Sequence, residues 1–251
     1  FTIYSMKINI LLPYKEKFDE NKASSVSITV RNNLLYSNYL KQVKIFGQNT
    51  ENPLFRKHFF GLNYSILSFK SRNKFLANEM MKIISKDLDK NQLIEIHNRP
   101  YLVEEITRGN KFPVSLFFHN DPQTMRGSKS VRERENILSK CAGIFCVSEF
   151  IKKKFLEGIN ENIQKVHVLY NGVERKLKRF PTKKKEILFV GRLVIEKGVH
   201  LYVDAIKGLA VRYSDWSFGL IGSFRLGENS IKNLYSENII KKMKGIGSQA
   251  Q

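Results

Sequence analysis

The segment Ile187-Leu-Phe-Val-Gly-Arg-Leu-Val-Ile-Glu-Lys-Gly198 gathers the residue types best suited to chemistry. A short apolar run ends at Gly191, Arg192 follows it, and Lys197 and Gly198 precede an amphipathic stretch. Such a set fits a diphosphate. Glycine at the carboxyl end of a buried strand lets a ligand approach the backbone. An arginine offers a planar fork and a lysine a point charge for phosphate oxygens, and the helix that follows turns its positive end toward them. Spacing alone leaves open a plainer reading, a strand–turn–helix carrying two solvated cations.

A second group lies upstream. Leu116-Phe-Phe-His-Asn-Asp-Pro122 puts His119 and Asn120 just after an apolar run, where a turn begins. Ile94-Glu-Ile-His-Asn-Arg-Pro100 ends in the same way, with His97, Asn98 and Arg99. Both ends would open onto one cleft. His97, Asn98 and Arg99 are candidates for acceptor contact, although residues of this kind also serve as hydrogen-bonded turn formers.

These residues need strands to carry them. Short apolar runs alternate with longer amphipathic stretches, the pattern of a parallel sheet covered by helices on both faces. Strands are expected near 7–12, 42–47, 64–68, 92–97, 114–119, 143–147 and 166–169, and helices near 24–39, 72–89, 100–108, 130–140 and 148–157. The last of these opens with Ser148 as an N-cap and closes with Gly158, with Phe150, Ile151, Phe155 and Leu156 expected to face the sheet. Glu174 to Glu186 then carries seven basic residues and a proline with little to bury, which reads as a solvated connection between domains. After it the rhythm restarts with a strand at 186–190, a helix near 198–213 and a strand at 216–221. The boundary is set at 178/179, giving domains 1–178 and 179–251. A sheet of two strands is short of the five or six such a domain normally needs, so the second domain is expected to be C-terminally truncated in this chain.

Composition narrows the function classes. With 43 Lys+Arg against 23 Asp+Glu, the net charge of +20 favours an anionic partner. No helix-turn-helix, zinc or RNP signature accompanies the charge, so nucleic acid is not expected. No G-x-G-x-x-G follows the first strand, which argues against a nicotinamide dehydrogenase. Cys141 and Cys146 have no His/Cys cluster beside them and are expected to be buried apolar side chains; no metal site is expected. No apolar run approaches the roughly 20 residues of a membrane span, and no signal peptide is visible. A cytoplasmic protein is expected, and basic helices such as 148–157 make an anionic membrane surface a candidate partner.

The strand-Gly-Arg-x3-Glu-Lys-Gly pattern resembles the start of the C-terminal domain in GT-B glycosyltransferases, and is most similar to glycosyltransferase family 4. His200 to Ile206 and Trp216 to Gly222 follow that family's next helix and strand; Phe145 to Glu149 and Val168 to Val173, with Asn171, resemble its last N-domain turn and the entry to its linker. The resemblance implies an α/β fold of GT-B type, a Rossmann-like acceptor-side domain followed by the beginning of a second, nucleotide-sugar-binding Rossmann-like domain. It implies that Arg192 and Lys197 hold the donor diphosphate, that His119 contacts the donor sugar as the catalytic-site histidine, and that Gly191, Gly222 and Ser223 line the cleft. The partners implied are a nucleotide-sugar donor and a glycan or lipid-linked acceptor, as in cell-envelope polysaccharide or lipopolysaccharide synthesis. Retention of configuration is implied too, with the nucleotide sugar as substrate and no cofactor.

Two departures stand out. Where the family places a glycine pair before its first helix, this chain reads Asn21-Lys-Ala-Ser-Ser25, so Lys22, Ser24 and Ser25 are put forward as substitutes. The family's paired-glutamate motif is absent. A non-catalytic fragment or binding module of the same fold is therefore the main alternative, and a basic nucleic-acid-binding protein the other.

Overall fold

The computed structural model describes residues 6–64, 71–222 and 234–247. The chain divides into two compact units, Phe1–Glu174 and Arg175–Gln251, with the division at 174/175 where the sequence reading set 178/179.

In the first unit the strands are β1 (Lys7–Leu11), β2 (Val43–Gln48), β3 (Phe59–Leu62), β4 (Gln92–His97), β5 (Val114–Phe118), β6 (Gly143–Cys146) and β7 (Val166–Val168). The helices are α1 (Ser25–Leu35), α2 (Arg72–Ser85), α3 (Leu102–Thr107), α4 (Val131–Lys140) and α5 (Glu149–Leu156). All seven strands pair in parallel, in the order β3-β2-β1-β4-β5-β6-β7. Every carboxyl end therefore lies on one edge, and the order reverses between β1 and β4, where open α/β sheets form a ligand crevice.

Alternation along the strands sends side chains to two cores. Ile94, Ile96, Leu116 and Phe118 pack with Leu76, Met80 and Ile84 of α2 and Phe155 of α5. Ile10, Val43 and Ile45 pack on the other face with Val26, Val30 and Leu34 of α1. Each such side chain contributes about 1.5–3 kcal/mol on burial. Helix α4 starts in a reciprocal capping box: Ser130 Oγ accepts from Glu133 N, and the Glu133 carboxylate accepts from Ser130 N.

The second unit contains β8 (Glu186–Val190) and β9 (Ser217–Ile221), paired in parallel, with α6 (Val199–Arg212) and α7 (Leu234–Lys244). Val199, Val203 and Ile206 of α6 meet Phe218 of β9 and Ile239 and Met243 of α7. Helix α7 was not foreseen from the sequence. Among the described residues no helix is long and apolar enough to cross a membrane.

Two expectations need correction. The third strand is Phe59–Leu62 rather than 64–68; Tyr64 lies beyond it, and 65–68 fall outside the described residues. Gly61 pairs with Gly47, and a Cβ there would meet the Asn49 amide at 2.3 Å. Phe150 does not face the sheet. Ile151 and Phe155, four residues apart on α5, occupy the buried stripe, which leaves Phe150 61% exposed.

Candidate functional site

The first candidate site is the carboxyl edge formed by β4 and β5. His97 is the last residue of β4 and pairs across the ladder with Phe117, on which its ring stacks at a centroid distance of 4.9 Å. His97 is 1% exposed. Its Nδ1 lies 2.8 Å from His119 Nε2 just past β5, and its Nε2 lies 2.7 Å from Glu95 Oε1. Two positions apart on one strand, Glu95 and His97 point to the same face. Burial pushes His119 from an ordinary 6.5 down to about 3, and His97 pushes the same way. His119 is therefore neutral at physiological pH. It can exchange hydrogen bonds with a sugar hydroxyl but carries no charge for a phosphate.

Asn98 ties the two strand ends together. Its amide nitrogen donates to Asn120 Oδ1 at 2.9 Å, its Oδ1 accepts from His119 N at 2.8 Å, and its own N–H donates to Phe117 O at 2.9 Å. The residue sits at φ 49°, a left-handed conformation that asparagine tolerates better than most. Arg99 turns back to donate to Asn98 O at 2.7 Å. The structure thus brings His97, Asn98, His119 and Asn120 into one bonded cluster with Arg99 at its margin.

The loop after His119 is braced from behind. Asp121 accepts from Gln123 N at 2.9 Å, Gly127 packs against the Tyr101 backbone, and Ser128 Oγ donates to Pro122 O at 2.6 Å. Arg134 of α4, 2% exposed, donates to the carbonyls of Ser128, Lys129, Phe155 and Glu157. One guanidinium thereby joins the loop to the end of α5, where carbonyl dipoles favour a cation.

The loop before α1 ends on the same edge but is turned inward. Asp19 accepts from the N–H groups of Asn21 and Lys22 and from the Thr50 hydroxyl, which holds its carboxyl below the usual carboxylate range. Ser24 is buried, and its hydroxyl donates to Glu16. Asn21 and Lys22 are exposed, as is Ser25, the first residue of α1. Asn171 is exposed beside Gly172, whose carbonyl accepts from Asn32 of α1 at 3.1 Å, so this segment is tied to α1.

In the second unit, β8 and β9 end in a backbone-to-backbone contact. Gly191 N donates to Ile221 O at 3.0 Å, and a Cβ on Gly222 would lie 1.9 Å from Gly191 O. Glycine is therefore obligatory at 222. Arg192 and Lys197 are both exposed; Arg192 Nη2 lies 3.6 Å from Glu196 Oε1. Gly198 adopts φ 68° and turns the chain into α6. Ser223 lies outside the described residues.

Sequence reasoning missed two features. Glu95 sits in the quoted motif, and its alternation with His97 was the signal. Arg72, at the start of α2, lies 4.9 Å from the Tyr14 ring and 5.7 Å from the Tyr64 ring. These residues follow β1 and β3 at the same edge, and no local pattern links them.

No protein-family model matches the chain. Over 108 residues it is 32% identical to an uncharacterized glycosyltransferase of Methanocaldococcus jannaschii, a match covering 43% of this chain and 28% of that protein. Over 210 residues it is 23% identical to spore coat protein SA of Bacillus subtilis, covering 76% of this chain and 54% of that protein. The chain spans about half the length of these curated relatives or less. A crystal structure of Anabaena HepE with UDP and glucose matches 98% of this chain and 68% of its own, with a TM-score of 0.63 at 14% identity. A glycosyltransferase from Rickettsia africae matches 99% and 68%, with a TM-score of 0.66 at 16% identity. The chain has the α/β GT-B-type fold. Cys141 and Cys146 are free and buried, and burial pushes both thiols up to about 12.

Proposed function

We propose that this chain serves sugar transfer from a nucleotide-activated donor, with residues 1–178 as the acceptor-side domain and 179–251 as part of the nucleotide-sugar-binding domain. The observation that carries this reading is the end of β8. Gly191 and Gly222 keep the strand ends bare of side chains, and Arg192, beside Glu196, and Lys197 are exposed there to meet an anion. The HepE structure with UDP and glucose and the M. jannaschii glycosyltransferase support a donor of this class. Arg192 and Lys197 would neutralise the leaving diphosphate as the glycosidic bond breaks, an electrostatic role worth several kcal/mol in comparable sites. His119, neutral at physiological pH, would contact the sugar, with Asn98 and Asn120 completing the edge. Retention of configuration, a glycan or lipid-linked acceptor of the cell envelope, and an anionic membrane surface that brings the lipid acceptor within reach complete the reading.

Titration of UDP and UDP-glucose into the chain and its Arg192→Ala and Lys197→Ala variants tests it. Each variant is expected to bind the nucleotide about 10-fold more weakly or worse, as loss of a charge-assisted bond of roughly 1.5–3 kcal/mol requires. Equal binding by parent and variants, or none by the parent, sinks the diphosphate assignment.

A further inference from the structure

Glu95, His97 and His119 form a line of three titratable side chains, of which the proposed function uses only the last. The two contacts along it measure 2.7 Å and 2.8 Å. A carboxylate can only accept, so the proton between Glu95 Oε1 and His97 Nε2 belongs to the histidine. With its single N–H directed at Glu95, a neutral His97 keeps Nδ1 as a lone pair. The proton in the bond between the rings must then come from His119 Nε2. His119 Nδ1 is left bare, and among the described residues it makes no hydrogen bond.

Three further observations hold the line rigid. The His97 ring is clamped against Phe117 on one face and lies edge to edge with His119, nearly coplanar at 26° with a centroid distance of 5.1 Å. The His119 backbone is fixed by the Asn98 side chain at 2.8 Å. Glu95 is 17% exposed and projects from the strand face that carries His97, so a single rotamer is needed to reach it.

We propose that Glu95 and His97 are positioning residues that hold His119 as its Nε2–H tautomer, so that His119 Nδ1 accepts a hydrogen bond from a substrate hydroxyl. This rests on the reading that His119 contacts the sugar. It gives the site a chemical preference: the group opposite His119 is an O–H donor, and a carbonyl or ether oxygen at that place meets a lone pair. Without the carboxylate, His97 is free to reverse its proton, and His119 would turn an N–H outward.

The test is the protonation pattern of the His119 ring, read by long-range proton–nitrogen NMR of the 251-residue chain labelled in histidine. His119→Gln identifies the resonance among the five histidines. At pH 7 His119 is expected to show a protonated Nε2 and a bare Nδ1. In Glu95→Gln the amide can donate to His97 as well as accept, and the Nδ1–H form of His119 is expected to become populated. A protonated Nδ1 in the parent chain overturns the inference without needing any variant to fold. So does an unchanged tautomer in a folded Glu95→Gln chain. A reversed tautomer with normal UDP-glucose binding removes this inference and leaves sugar transfer standing; the expected tautomer with no nucleotide binding keeps the positioning of His119 and removes the sugar hydroxyl as its partner.

Discussion

The two candidate edges of this chain are built in contrasting ways. At the end of β4 and β5, His97 and Asn98 are 1% and 8% exposed, and bonds between residues 21 and 22 apart in sequence fix the cluster. At the end of β8, the backbone is fixed by the contact of Gly191 with Gly222, but Arg192 and Lys197 project into solvent. The first edge has its geometry before any ligand arrives, which is how an enzyme avoids reorganising at the moment of reaction. A ligand at the second would have to order two long side chains, at roughly 0.5–1.5 kcal/mol each. The proposed function would assign sugar recognition to the rigid edge and charge neutralisation to the adaptable one.

Substitutions can break this contrast. The largest effect is expected for Arg134→Ala, which strips four backbone carbonyls of their donor behind the His119 loop. A loss of about 3 kcal/mol or more in chemical denaturation follows if even part of that group stays dry. A loss under about 1 kcal/mol shows that the loop is not braced from behind. Asn98→Ala removes two side-chain hydrogen bonds and forces alanine into a left-handed conformation. It should cost about 2 kcal/mol, with Asn98→Gly costing less because glycine tolerates that φ.

His119 makes a subtler probe. Its folded value of about 3 lies below the ordinary 6.5, so between those values the unfolded chain binds a proton that the folded chain refuses. Stability must fall as pH drops through that window. His119→Gln should flatten the slope of melting temperature against pH there, and an unaltered slope would show that the ring is solvated. The smallest expected effect is on stability in Arg192→Ala and Lys197→Ala, within about 0.5 kcal/mol of the parent because both side chains are exposed. A larger loss in either would mean that the second edge is also built in advance.

How much of this was legible depends on how local each signal is. The strands bearing His97 and His119 were placed within a residue or two, because their apolar runs are dense and end in turn formers. Ser148 and Gly158 likewise marked α5: Ser148 accepts from Ile151 N, and Gly158 adopts φ 82°. Strand β3 was harder to place: the close approach of Asn49 to its Gly61 is a contact across the ladder that no local pattern shows. The inward turn of Ser24 was equally hidden, since its partner Glu16 belongs to a loop with no periodicity. Proximity of Glu95, His97 and His119 needed the strand register, which pairs His97 with Phe117 and so sets His119 beside it.

The two buried thiols have a practical corollary. Both cysteines of the chain, Cys141 and Cys146, lie in the first unit, and with each raised to about 12 almost no thiolate exists at neutral pH. The thiolate is the nucleophile that attacks an alkylating reagent, so labelling must wait until that unit opens. The second unit has no thiol to add background. The chain therefore carries its own clock for the opening of one half, readable by mass alone and blind to whatever the other half does.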